Sequence, residues 1–432
     1  MGSGWEEDDR NLLPCDRMKI AYFVDEFPPF FRGGLGTYAK EITKQFTLKG
    51  HSLSVFSLNT GDDPTFDTWD GAEVHRPKLM TFSDMLSIVN PVEMKTWNLN
   101  GQEFFTNTLL YNILSASKLV NSLVKKEHRN FDILVSHDWL AALAGIIAKR
   151  NLGIPFVIHF HSNEQGRNPS GSATVKEIER IAALNANRII TVSYAMRDEL
   201  MRCGYPEQKI RVVHNGVDTE KYDADRFSGQ EVEAFREQIG VGSSPMIFFI
   251  GRLTWVKGVD SLVRAMPQII QEIPDAKLVI LGIGEMDQML TQMVRDLHLD
   301  ENVLLHFKMV PEEERLMYYA ACDIAVFPSK YEPFGIVCTE AQSMGKPVVV
   351  GATGTSGLRE QVIPTGNEIC GFHINPYDPL DIAKYVVKIL KDPDLATTMG
   401  TNGRSRVLKN FTWEIASEKT IGVYQELVDD RK

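Results

Sequence analysis

Residues 246–258 read M-I-F-F-I-G-R-L-T-W-V-K-G. An apolar run this short, rich in Ile and Phe and cut by glycine, predicts a strand covered on both faces rather than a half-exposed one. The segment 259–271 that follows has helical period, so Arg252 and Lys257 fall in a strand-to-helix loop. Outward from there the same rhythm repeats. KLVILGIG (277–284), VLLHFK (303–308), IAVFPS (324–329) and PVVVGAT (347–353) read as further strands, with helical segments such as 285–298 and 379–390 between them. Upstream, MKIAYFV (18–24), LSVFSLN (53–59), DILVSH (132–137), PFVIHFH (155–161) and RIITVS (188–193) form an earlier series. The fold class is therefore α/β, with two doubly wound, Rossmann-like domains in tandem and a ligand cleft expected between them.

The boundary is expected where the character changes. DTEKYDADRFSGQEVEAFREQIGVGSSP (218–245) is charged, weakly periodic and closed by Gly, Ser and Pro. The predicted organisation is a disordered leader or expression remnant at 1–17, a first domain at 18–217, a linker at 218–244, a second domain at 245–410 and a terminal helix at 411–432. A chain of 432 residues accommodates two such domains. The segment 77–105 breaks the rhythm. Met80, Phe82, Met85, Met94, Trp97, Phe104 and Phe105 lie in a loop-rich stretch that reads either as cover for an irregular part of the core or as a surface for a bulky acceptor.

Composition excludes several classes. With 43% hydrophobic and 24% charged residues, and 32 Gly and 20 Pro dispersed, the usage is that of a globular protein. The 46 basic and 57 acidic residues give a net charge of −11, which repels nucleic acid and anionic lipid. The five cysteines (Cys15, Cys203, Cys322, Cys338, Cys370) form no C-x-x-C pair, which points to a reducing cytoplasm and no structural zinc. No apolar run approaches the ~20 residues that span a bilayer, and the acidic start is no signal peptide.

In open parallel sheets ligands meet the loops at the carboxyl ends of the strands. After the first strand, Gly33, Gly34 and Gly36 precede a helix, where close backbone approach and the helix dipole suit an anion. G-L-G-T-Y-A (34–39) also spells G-x-G-x-x-A, the mark of a dinucleotide-dependent oxidoreductase, but it stands about nine residues beyond the strand end instead of directly after it. Arg252 and Lys257 together suit a diphosphate, the guanidinium by paired N–H bonds and the ammonium as a point charge. A solvated pair is the plainer reading of either alone.

In P-S-K-Y-E-P-F-G-I-V-C-T-E (328–340), Pro333 suits a helix start, with Glu332 at that start and Glu340 eight residues on. A helical rise of ~12 Å over eight residues separates the carboxylates too far for acid and base work on one bond, so they suit two ends of a long ligand. The amides of Phe334, Gly335 and Ile336 offer a second anion site. His161 ends one strand and His137 with Asp138 ends another, while alternation puts His159 and His161 on one face. Asp223/Asp225 and Asp392/Asp394 spell D-x-D, but neither pair follows a strand, so both read as turn residues rather than metal ligands. G-x-x-x-x-G-K-[ST], G-x-S-x-G and H-E-x-x-H are all missing, which removes the common NTPase, hydrolase and zinc-protease readings.

Taken in order, GGLGTY, HDW, HFHSNEQGR, VSYAM, HNGVD, GRLTWVKG, LGIGE and YEPFGIVCTEA resemble the retaining, nucleotide-sugar-dependent glycosyltransferases of the GT-B fold, over about residues 18–425. Glycogen and starch synthases with their archaeal and bacterial relatives are the nearest likeness. The resemblance implies two Rossmann-like domains facing each other across a deep cleft, with the terminal helix crossing back to the first.

It further implies that Arg252 and Lys257 hold the donor diphosphate, that Glu332 faces the donor sugar and that Glu340 binds ribose. By the same likeness Gly34, Gly282, Gly284 and the amides of Phe334, Gly335 and Ile336 contact the donor, His161 lies against the transferred sugar, and His137 and Asp138 lie near the acceptor. Transfer of an α-glucosyl unit from ADP- or UDP-glucose to an α-glucan end is the implied reaction, the alternative being a small sugar, sugar phosphate or lipid-linked sugar as acceptor or a different donor sugar. No metal or cofactor is implied, nucleic acid and integral membrane association are not expected, and an oligomer is compatible. Starch-type synthases carry K-x-G-G-L where this chain has Phe31-Arg32-Gly33-Gly34-Leu35, which leaves the base, ADP or UDP, open.

Overall fold

The computed structural model describes residues 17–30, 33–80 and 97–431. The expected leader, apart from Arg17, lies outside these residues, as do Phe31 and Arg32.

Eight strands form the first sheet: β1 (Lys19–Phe23), β2 (Ser52–Phe56), β3 (Phe66–Trp69), β4 (Ala72–His75), β5 (Ile133–His137), β6 (Phe156–Phe160), β7 (Arg188–Thr191) and β8 (Ile210–Val212). Their order is β3-β4-β2-β1-β5-β6-β7-β8. β1 runs parallel to β2 and β5, and only the β3–β4 hairpin is antiparallel among the registered pairs. The second sheet contains β9 (Met246–Ile250), β10 (Lys277–Leu281), β11 (Val303–His306), β12 (Ile324–Phe327), β13 (Val348–Gly351) and β14 (Gly371–Ile374), all parallel, in the order β11-β10-β9-β12-β13-β14.

The second sheet shows why its strands read as unbroken apolar runs. Met246, Phe248, Ala325, Phe327, Val348 and Val350 enter one core, while Ile247, Phe249, Ile324, Val326 and Val349 enter another on the opposite face. Successive side chains of one strand thus serve two separate cores. Burial of each large side chain contributes roughly 1.5–3 kcal/mol, which dominates local propensity here.

Strand order reverses between β1 and β5 in the first sheet and between β9 and β12 in the second. Such reversals leave a crevice at the carboxyl ends of the strands. Gly34 follows β1, and His137 ends β5 with Asp138 directly after it; Arg252, Lys257 and Glu332 follow β9 and β12.

By packing, the chain divides into two compact units. One comprises the described residues to His159, Ile181–Ile189 and the chain from Ser417 on; the other comprises Phe160–Arg180 and Ile190–Ala416. Within the first, Tyr424 of the terminal helix Trp413–Asp429 is fully buried, with its hydroxyl 2.7 Å from His159 Nε2. Lys49 pairs with Glu418 at 2.9 Å.

Two local expectations change. The segment read as linker carries a helix, Gly229–Gln238, started by a capping box in which Ser228 and Glu231 bond each other's backbone, and anchored by buried Phe235 edge-on to Tyr318. The stretch read as loop through 105 is helical from Leu99 (Leu99–Ser117). There Phe105 is buried against Trp97 and Trp139, which is core cover, while 81–96 lies outside the described residues. β3, β4, β8 and β14 are strands in addition to the ten runs read from the sequence.

The helix Pro393–Asn410 tests close packing. A Cβ on Gly400 would stand 2.0 Å from the Gly345 carbonyl oxygen. Alanine's helix propensity favours the substitution by about 1 kcal/mol, but a backbone carbonyl cannot swing aside as a side chain can. Gly400→Ala is therefore expected to lower stability by about 1–3 kcal/mol in denaturant titration, the opposite sign from propensity.

Candidate active site

The loops at the carboxyl ends of β9, β10, β12 and β13 in the second unit interlock through backbone. A Cβ on Gly282 would lie 2.0 Å from Gly251 O, and one on Gly284 would lie 2.3 Å from Leu253 O. Leu253 N donates to Ile283 O at 3.0 Å and Met286 N to Leu253 O at 3.1 Å, tying the two loops. Gly258, at φ 67°, closes the short 3-10 turn Trp255–Lys257 with its Cβ position 2.0 Å from Pro328 O. Only glycine satisfies both the left-handed backbone and that clearance.

This frame sets the two charges. Lys330 N donates to Val256 O at 2.8 Å, Glu332 N to Thr355 O at 3.0 Å and Gly357 N to Glu332 O at 2.8 Å. Glu332 is thereby fixed in an extended bridge beside Ser356. Its carboxylate is 8% exposed as a residue, accepts from the Lys257 ammonium and has Ser329 Oγ at 3.4 Å. Arg252 is exposed and makes no side-chain hydrogen bond or ion pair among the described residues. Beneath them, buried Lys330 pairs with buried Asp260 at 3.0 Å and lies 3.1 Å from the centre of the Trp255 ring.

The expectation that Pro333 opens the helix is corrected. The helix is Ile336–Ser343, and Gly335 at φ 91° is its N-cap, with no side chain capping the start. Glu332 therefore stands outside the helix, and an eight-residue helical rise does not describe its separation from Glu340. The reason lies downstream: Phe334 is buried and its carbonyl accepts from Gln361 Nε2 at 2.7 Å, which holds Pro333 and Phe334 out of helical geometry. Ile336 is the first helical residue, so its amide lies at the uncapped start.

Other candidates sit differently. Glu340 is 4% exposed, and its two oxygens accept from Tyr222 and Tyr319, each at 2.7 Å. The Gly284 amide donates to Asp287 Oδ1 at 3.0 Å, so this glycine offers clearance rather than a free N–H. His161, in the same unit, follows β6, and burial pushes its imidazole down to about 3, which leaves it neutral at ordinary pH. Nearby, Tyr331 of the β12 loop has its hydroxyl 3.3 Å from Asn163 Oδ1.

In the first unit Gly34 starts the helix Gly34–Leu48, behind Gly33, whose amide donates to Glu26 at 3.2 Å. His137 has no exposed surface: its ring centre lies 4.5 Å from those of Tyr22 and His159, so a direct touch on an acceptor is closed to it. Asp138, at φ 51°, begins the helix Asp138–Leu152 in left-handed backbone, a strain that persists only where its surroundings enforce it. The D-x-D residues are structural: Asp223 pairs with Arg404, and Asp392 caps the helix Pro393–Asn410.

Sequence reasoning missed the Lys330–Asp260 pair and the tyrosines on Glu340. It also missed Glu360, which accepts from the amides of Tyr194 (3.0 Å) and Ala195 (2.8 Å) and from His214 (2.8 Å). Arg315 and Tyr319, four apart on one helix, share a face, but that spacing alone does not point to Glu340.

Residues 32–221 match the profile of the family described as Glycosyltransferase Family 4, and residues 231–406 match that of Glycosyl transferases group 1. An uncharacterized glycosyltransferase of Methanocaldococcus jannaschii is 30% identical over 414 residues, covering 94% of this chain and 98% of its own. The chain belongs to the GT-B glycosyltransferases. A glycogen synthase of Mycobacterium tuberculosis is 28% identical over 426 residues, covering 94% of each chain. The solved sucrose-phosphate synthase of Thermosynechococcus elongatus superposes on this glycosyltransferase with a TM-score of 0.74 at 22% identity, over 96% of this chain and 100% of that one, a likeness of fold. Among the described residues no helix is long and apolar enough to cross a membrane.

In this glycosyltransferase Lys257 and Glu332 neutralise each other within the loop frame. Lys257→Met leaves a largely buried carboxylate without its cation, and an expected loss of about 1–3 kcal/mol follows, scaled down because Lys257 is partly solvated. Adding Glu332→Gln should recover most of it. Chemical denaturation of both single variants and the double variant measures the coupling.

Of the histidines that burial lowers, His161 and His75 are shifted furthest. Burial lowers His161 to about 3 and His75 to about 4, against about 6.5 in an unfolded chain. Between those values the unfolded state binds more protons, so stability is intact above about pH 6.5 and falls as pH drops toward 4 and 3. The melting temperature is expected to decline across that window, less so in a His75→Gln variant.

Proposed function

We propose that this glycosyltransferase retains configuration and moves an α-glucosyl unit from ADP- or UDP-glucose to the non-reducing end of an α-glucan. The observation that carries the reading is the placing of Arg252, Lys257, Glu332 and the uncapped helix start at Ile336 around one strand-order reversal in the second unit. The glycogen synthase relative supports the glucan as acceptor.

Breaking the bond between the anomeric carbon and the diphosphate oxygen builds positive charge on the sugar and negative charge on the leaving phosphate. Arg252 and Lys257 stabilise that phosphate charge, Lys257 turning from Glu332 to do so, and the amides at the helix start add fixed dipoles. Glu332, released from part of its ion pair, accepts hydrogen bonds from the donor sugar's hydroxyls. The acceptor hydroxyl attacks from the face the diphosphate leaves, and its proton passes to a leaving phosphate oxygen. The new glycosidic bond replaces the old one and the nucleoside diphosphate carries the proton away. Neutral His161 serves as a hydrogen-bonding partner to the sugar, and His137 and Asp138 belong to the acceptor side.

The proposal includes no divalent metal and no cofactor, and a reducing cytoplasm, which the unpaired Cys203, Cys322, Cys338 and Cys370 support. Incubation with ADP- or UDP-glucose and glycogen, maltose or glucose tests the reaction. Chain lengthening is expected; a single discrete product from a small acceptor replaces the glucan reading, and no transfer with either donor defeats it. Arg252→Ala and Lys257→Ala should each lower kcat/KM by about 10²–10³-fold, and chelator should leave the rate unchanged.

A further inference from the structure

Glu340 lies on the helix Ile336–Ser343 and is almost wholly buried, yet it is not simply neutralised by one cation. Oε1 accepts from the Tyr222 hydroxyl and Oε2 from the Tyr319 hydroxyl, both at 2.7 Å. Arg315 donates to the Tyr222 oxygen and stands 3.9 Å from Glu340 Oε1. It is itself held by Glu312 at 3.1 Å. The two phenol rings meet edge to face, their centres 5.9 Å apart. Burial, reinforced by the Glu340 charge, pushes both phenols well above their ordinary range, so both keep their protons.

A phenol has one proton to donate, and each is spent on a different oxygen of the same carboxylate. That fixes the carboxylate's plane as well as its position. A single partner would leave rotation about the last side-chain bond open, since that torsion is broad. Each oxygen retains a further lone pair, and together these form a two-point acceptor suited to a pair of neighbouring hydroxyls.

We infer that Tyr222 and Tyr319, with Arg315 behind Tyr222, are positioning residues that set the Glu340 carboxylate for the ribose diol of the donor nucleotide. This rests on the reading above that Glu340 faces ribose. The two phenols come from separate places, Tyr319 from the helix Glu312–Ala321 and Tyr222 from the segment leading to Asp223, so the clamp forms only in the folded unit.

Isothermal titration with UDP, ADP and their 2′-deoxy forms tests this without any acceptor. The wild-type chain is expected to bind one ribonucleotide about tenfold more tightly than its 2′-deoxy form. Tyr319→Phe and Tyr222→Phe are each expected to weaken that ribonucleotide about tenfold while leaving the deoxy form little changed, so that the discrimination collapses. Tyr319→Phe placed in Glu340→Ala should add nothing further. A merely structural role predicts lower melting temperature with discrimination retained, and that result overturns the inference. If Tyr319→Phe does not fold, Tyr222→Phe, which keeps the other phenol, gives the same ratio. Wild type binding both sugar forms equally defeats the ribose assignment of Glu340 itself, and binding of neither base defeats the donor-site reading, each taking this inference with it.

Discussion

The second unit depends on main chain meeting main chain. Gly258 against Pro328, Gly282 against Gly251, Gly284 against Leu253, Gly351 against Ser329 and Gly357 against Pro333 are approaches in which a Cβ would come within 2.0–2.3 Å of a carbonyl oxygen. Carbonyls at that range cannot yield like flexible side chains, so the loops after β9, β10, β12 and β13 take one mutual arrangement. The ion pair of Lys257 with Glu332 is a consequence: the backbone brings both groups to the same place before their attraction acts. In a largely buried ion pair the attraction works against the cost of desolvating both charges, and it is the fixed frame that makes this one a feature of the site.

The two candidate carboxylates show how environment separates residues of the same type. Glu332 meets the ammonium of Lys257, which keeps part of its surface in solvent. Glu340 meets two phenols that cannot lose their protons in water near neutrality. The first is suited to an interaction that changes during a reaction, the second to one that stays constant.

Much of this was legible in the sequence because parallel strands buried on both faces leave long apolar runs. The ten runs read as strands correspond to β1, β2, β5, β6, β7, β9, β10, β11, β12 and β13. β3 escaped because its FDTW alternates between exposed and half-buried residues, and β8 because it has three residues. The Asp70-Gly71 turn that joins β3 to β4, with φ 43° and 82°, was a readable hairpin mark that went unused. Pro333 misled because proline is compatible with a helix start without compelling one, and the Gln361 contact that decides the matter is 27 residues away in the chain. The positions of Arg252, Lys257 and Glu332 at strand ends followed from periodicity. The partners of Glu340 and Glu360 did not, since contacts across 118 and 146 residues leave no local pattern.

The glycine frame also divides the loops into what can vary and what cannot. Trp255 and Ile283, 57% and 45% exposed, project from the same loops whose glycines are locked. Changing Ile283 alters the exposed surface of its loop without disturbing the carbonyl contacts underneath, whereas Trp255 also covers the Lys330 ammonium. A scaffold of this kind confers evolutionary latitude: exposed side chains at the rim can drift while the backbone frame beneath them is inherited intact.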